Sequence, residues 1–129
     1  MADDGKQAVV ERYFQAVSTQ DARALAALFA PDGVMEDPVG ATPITDAEGF
    51  QRFLSGITDT FDEMVLTPED SFHAGGRVAV RWSARGRSKD GVEVGYGGID
   101  VFAFDDQDRI TSMEGYWHPR ELFAQLKGS

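Results

Sequence analysis

The dominant hydrophobic repeat of this chain changes at about residue 62, and that change limits the folds open to it. Before it apolar side chains recur mainly every three or four positions; from there to Trp117 they recur every second position. The first spacing lines one face of a helix, and the second lines one face of a strand. Val10, Tyr13, Phe14 and Val17 form one stripe, with Glu11, Arg12, Gln15 and Ser18 off it, and Asp3 or Asp4 stands where a cap belongs. Asp21 predicts the start of a second helix over Ala22 to Phe29, which Pro31-Asp32-Gly33 breaks. Thr45-Asp46-Ala47-Glu48 reads as a capping box ahead of Phe50, Phe53, Leu54 and Ile57.

From about residue 62 the chain reads as a meander. Val78, Val80, Trp82 and Ala84 alternate with Ala79, Arg81, Ser83 and Arg85, and Asp90-Gly91 supplies hairpin chemistry. A long strand is predicted over Val92 to Phe104, a turn at Asp105-Asp106-Gln107-Asp108, and a return over Arg109 to Trp117. Pro119 suits the first turn of a closing helix that carries Leu122, Phe123 and Leu126. The expected fold is α+β: a curved antiparallel sheet wrapped around helices, in one domain spanning residues 1–129, with an apolar cavity at its open end.

Charge and composition narrow the function classes. Twelve basic against 22 acidic residues leave a formal charge of −10, which disfavours nucleic acid and anionic membrane surfaces as partners. Cysteine is absent, which excludes disulfides, thiol nucleophiles and zinc–thiolate sites. The opening Met1-Ala2-Asp3-Asp4-Gly5 has no signal-peptide pattern, and the apolar stretch Ala24 to Ala30 is far too short to span a bilayer, so a cytoplasmic location is expected. His73 and His118 have no metal-ligand spacing, and the acidic turn at 105–108 lacks the glutamate that closes a calcium loop. No metal or other cofactor is expected.

Three polar residues sit where the pattern is apolar. Asp100 shares a strand face with Val92, Val94, Tyr96, Gly98, Phe102 and Phe104, so it points inward unless that face is turned to solvent. A carboxyl buried there is raised above its usual pKa, although a structural aspartate bonded to backbone or arginine is the other reading. Asp37 follows Met35 by two in the short strand predicted at Val34-Met35-Glu36-Asp37; an ordinary Asp-Pro turn is its alternative. Tyr13 lies on the buried helix stripe, where most tyrosines serve simply as core. A base, a neutral acid and a phenol meeting in an apolar pocket can move a proton beside a carbonyl.

Val9-Val10-Glu11-Arg12-Tyr13, Glu36-Asp37-Pro38-Val39-Gly40, and Ile99-Asp100-Val101-Phe102 continuing to Gly115-Tyr116-Trp117 together resemble the bacterial ketosteroid isomerases. These belong to the SnoaL-like and nuclear transport factor 2-like superfamily of cone-shaped α+β folds. The resemblance implies Asp37 as general base, with Tyr13 and a protonated Asp100 as the oxyanion hole; the neutral acid is that family's known property and is supplied by the resemblance. It implies a cofactor-free shift of a β,γ-unsaturated 3-ketosteroid to its conjugated isomer, a small hydrophobic substrate, and a homodimer packed through the outer sheet face. Trp117, Phe53, Val39, Phe102 and Trp82 are the expected substrate contacts, with core packing as the other reading of Trp117. Phe29 and Phe53 stand where some relatives carry supporting tyrosines, and Gly95, Gly97 and Gly98 are expected to widen the pocket or mark a bulge. Two rivals remain: an epoxide hydrolase or cyclase acting on a polyketide or terpenoid, with Glu63 or Asp62 as second carboxylate, and a non-catalytic hydrophobic-ligand module. In the limonene-epoxide hydrolase pattern an arginine stands where this chain has Gly98.

Overall fold

A computed structural model describes residues 2–127. Helix α1 (Ala2–Ser18) and helix α2 (Ala22–Ala27) lead into strand β1 (Phe29–Glu36), followed by helix α3 (Ala47–Thr60). Strands β2 (Phe61–Ala74), β3 (Arg77–Ser88), β4 (Glu93–Phe104) and β5 (Ile110–Trp117) then form the meander, and helix α4 (Pro119–Leu126) closes it. The sheet order is β1-β5-β4-β3-β2, with every neighbouring pair antiparallel except β1, which runs parallel to β5. Among the described residues no helix is long and apolar enough to cross a membrane.

Several local expectations shift. Helix α1 already includes Asp3 and Asp4, so neither stands ahead of its first turn. Helix α2 ends before Leu28, because Phe29 is drawn into β1 opposite Ile110. Pro31-Asp32-Gly33 therefore lies inside a strand, at a register shift between Phe29 and Val34, and does not break the chain. The cap of α3 is Asp46, one residue after Thr45: its side chain accepts from the Gly49 N–H at 2.8 Å. Aspartate is the stronger cap of the two. Glu48, freed from the box, pairs with Arg52 one turn on at 3.2 Å.

The core sits between the concave face of the sheet and the helices. Val10, Tyr13, Phe14 and Val17 are buried as the α1 stripe requires, and Phe50 and Leu54 of α3 join them. Each such side chain taken out of water contributes about 1.5–3 kcal/mol. On β4 the inner face carries Val94, Tyr96, Gly98, Asp100 and Phe102, while Glu93, Gly95, Gly97 and Ile99 face out. Asp100, at 2% exposure, is thus a carboxyl inside the concave face of the sheet.

Candidate active site

Asp37 follows the last residue of β1, in a turn tied down at both ends. The Gly40 N–H donates to the Glu36 carboxylate at 2.8 Å, and the Val39 N–H donates to the Gly115 carbonyl at 2.8 Å. Asp100 sits mid-strand, paired with Val80 on one side and Gly115 on the other. Gly115 brings the two acids together. A Cβ at that position would collide with the Asp37 carboxylate and lie 3.1 Å from Asp100 Oδ1. The space a side chain would fill is occupied by Asp37, whose carboxylate lies over β5 beside that of Asp100.

Each acid is held by one indole. The Trp117 Nε1–H donates to Asp37 Oδ1 at 2.7 Å, and the Trp82 Nε1–H donates to Asp100 Oδ1 at 2.9 Å. Burial pushes the Asp37 carboxyl up to about 6, against the opposing effect of the Trp117 bond. Burial, and then the charge of Asp37, hold Asp100 well above the usual carboxylate range, again opposed by its indole. Tyr13 is raised first by burial, then by the charges of Asp100 and Asp37, so its hydroxyl keeps its proton.

A cavity of about 190 Å³ opens beside the acids, lined by Asp37, Asp100, Trp82, Trp117, Tyr96, Phe53 and, from α4, Leu122, Phe123 and Leu126. Its wall is largely apolar; the polar groups on it are the two acids with their indole partners, the Tyr96 hydroxyl, and Thr60, whose hydroxyl donates to the Gly56 carbonyl at 3.0 Å. Helix α4 is clasped to β4 by Gln125, whose amide accepts from the Gly95 N–H at 2.8 Å and donates to the Gly95 carbonyl at 2.9 Å.

The structure gathers Asp37, Asp100, Trp82, Trp117 and Phe53 around this cavity, and it moves three expected residues away from its surface. Val39 is 42% exposed and lines an outer groove with Ile99 and Tyr116, because the turn that buries Asp37 turns Val39 outward. Phe102 is fully buried behind the wall, its ring edge-on to Tyr13 at 5.0 Å. Tyr13 lies beside the acids but behind the lining residues, with its hydroxyl donating to Met35 Sδ at 3.9 Å. Phe29 packs on Phe50 at 4.7 Å, and Phe53 lines the cavity.

Gly98 does not widen the pocket. A Cβ there would meet the Tyr116 carbonyl oxygen, the Trp82 ring at 2.8 Å and Trp117 Cβ at 2.9 Å, so the two indole-bearing residues occupy the space. An arginine has no room at this position. Glu63 lines a groove on the outside of the sheet, and Asp62 faces solvent beside Lys89 at 3.5 Å, so neither reaches the acid pair. Sequence reasoning gives three residues of the site no role: Gly115, Glu36 and Tyr96. Gly115 and Glu36 lie in the segments that carry the resemblance, and Tyr96 shares the strand face of Asp100.

Residues 10–113 match the family model described as a SnoaL-like domain. The chain is 33% identical over 118 residues to the steroid Delta-isomerase of Nocardioides simplex, covering 90% of this chain and 92% of that protein. In fold it is similar to a hypothetical protein with a ketosteroid isomerase-like fold from Catenulispora acidiphila, with a TM-score of 0.80 at 19% identity over 91% of this chain and 90% of that one. An LEH-like epoxide hydrolase of M. tuberculosis also superposes, with a TM-score of 0.75 at 20% identity over 96% of this chain and 90% of that one.

Proposed function

The chain belongs to the SnoaL-like family, and we propose that it is a cofactor-independent steroid Δ-isomerase acting on a β,γ-unsaturated 3-ketosteroid. One observation carries the reading: two carboxyls meet over Gly115, one with a pKa of about 6 and the other held far above the carboxylate range. Near neutral pH the first is a base and the second an acid. With its pKa at about 6, Asp37 is mostly ionised at neutral pH.

In the proposed reaction Asp37 removes a proton from C4 and the C3 carbonyl oxygen gathers the charge as a dienolate. Asp100 accepts the Trp82 N–H through Oδ1, which leaves Oδ2 to carry its proton and donate it as a hydrogen bond to that oxygen. The Tyr13 hydroxyl, one layer behind the cavity wall, supplies the second donor once the substrate oxygen seats deeply against Asp100, exchanging Met35 Sδ, a weak acceptor, for the dienolate oxygen. Asp37 returns the proton to C6, and the double bond comes to rest between C4 and C5. Donors set in an apolar pocket stabilise the developing charge without waiting for solvent to reorganise. Trp117 holds Asp37 from the edge, leaving its other oxygen to reach both carbons. A second copy packed over Val39, Ile99 and Tyr116 completes the proposed homodimer.

The identity to a steroid Delta-isomerase supports this reading, and the crowding at Gly98 argues against the arginine-bearing epoxide arrangement. Mixing the purified protein with a β,γ-unsaturated 3-ketosteroid is expected to produce the ultraviolet band of the conjugated enone. No band, together with turnover of an epoxide, would overturn the assignment.

A further inference from the structure

Two polar side chains on the cavity wall are not used by the proton transfer, Thr60 and Tyr96, and the Thr60 hydroxyl is spent on the Gly56 carbonyl at 3.0 Å. The Tyr96 ring packs edge-on to Trp82 at 5.7 Å and tilted on Trp117 at 5.4 Å, so it continues the aromatic wall that starts at the acid pair. Its hydroxyl has Met64 Sδ at 3.8 Å as acceptor. Met64 reaches that point by lying across Gly86: a Cβ there would sit 3.1 Å from the same sulfur. Gly86 pairs with Val94, beyond Tyr96 on the side away from Asp100. The hydroxyl is therefore directed down the sheet, away from the acids. Tyr96 and Asp100 are four residues apart on one face of β4, about 13 Å along an extended strand. This is a spacing of backbone positions; it places Tyr96 along the wall from the acids, where the far end of a fused-ring skeleton would lie.

We infer that Tyr96 is a second polar contact for the substrate, donating a hydrogen bond to a carbonyl oxygen at the end of the skeleton remote from the reacting ketone. The inference rests on the isomerase reading for the identity of that skeleton. A thioether is a weak acceptor, and a carbonyl oxygen placed near it takes the proton in exchange. The surrounding wall is largely apolar, so a ligand lacking that oxygen leaves the hydroxyl on its sulfur and gains nothing there. Burial and the charge of Asp37 raise the phenol to about 12, so it remains a donor across the working range. Tyr96 thus acts on selection between substrates, and the acids act on the chemistry.

The test pairs two β,γ-unsaturated 3-ketosteroids that differ only in a ketone at C17. The wild type is expected to favour the 17-ketone by about three- to tenfold in kcat/KM, the range of one neutral hydrogen bond. The preference should lie in KM, and in Tyr96→Phe, which keeps the ring packing, the ratio should fall to about one. A ratio near one in the wild type, or one unchanged in the variant, would overturn the inference. The conjugated products with and without the 17-ketone, titrated by tryptophan fluorescence, read the same ratio as affinity without turnover. If the wild type turns over neither compound but Tyr96→Phe still abolishes a binding preference for the 17-ketone, the isomerase reading fails and the Tyr96 contact stands. Failure to bind either product would overturn both.

Discussion

Asp37 and Asp100 are the same residue in nearly matched settings, and the site depends on the little that separates them. Each presents Oδ1 to one indole N–H, and each is raised by burial. The indoles therefore cannot be what makes one a base and the other an acid. Asp100 is locked mid-strand between two ladders at 2% exposure, whereas Asp37 sits in a turn beyond the end of β1 and is half-buried. Asp100 also bears the charge of Asp37 as its second cause of elevation. Two carboxylates over one glycine cannot both ionise cheaply, and the deeper one keeps the proton. The base gains something further from its place in a turn: a group that must serve two carbons has more freedom there than on a central strand.

Breaking the base end should have the largest effect. Asp37→Asn is expected to lower kcat by about 10²–10⁴-fold, the contribution of a positioned general base, while circular dichroism shows an intact fold. On the acid side, Asp100→Leu is expected to cost about 10²–10³-fold in kcat, with affinity for the conjugated product much less affected. A kcat loss no greater than the affinity loss would make Asp100 a structural group.

Gly115→Ala perturbs the geometry without touching either acid. Its new Cβ must displace the Asp37 carboxylate, and a shift of about 1 Å is expected to lower kcat/KM by around a hundredfold. The smallest and most diagnostic change is Trp117→Phe. Wild-type kcat/KM is expected to rise with pH through about 6 as Asp37 ionises, and to fall again only where Asp100 loses its proton. Removing the Trp117 N–H takes away the bond that lowers the Asp37 pKa, so the rising limb should move to higher pH. A shift of about half a unit to one unit corresponds to one hydrogen bond. A limb that stays in place would mean that Trp117 only packs.

The inward face of β4 was legible in sequence because alternation is local: once Val94 and Phe102 are buried, Asp100 must follow them. The same reasoning carried Asp37 inward behind Met35 and Tyr13 inward on the α1 stripe. Val39, two residues beyond Asp37, is expected at the site from the resemblance alone; alternation cannot test it, because alternation ends where the strand does and a turn re-aims each side chain. Phe102 shows a different limit. Periodicity identifies a buried side chain but cannot tell a cavity wall from the layer behind it.

Periodicity, charge and the absence of cysteine determined an acidic α+β domain with two carboxyls and a phenol directed inward, because each depends only on neighbours along the chain. Only the tertiary structure decided that those carboxyls share the space above Gly115, that the Trp82 ring and the Trp117 Cβ fill the gap at Gly98, and that the phenols of Tyr13 and Tyr96 donate to sulfur. These contacts join residues far apart in sequence through the register of β4 and β5, and a side chain that is missing leaves no trace in a hydrophobic pattern.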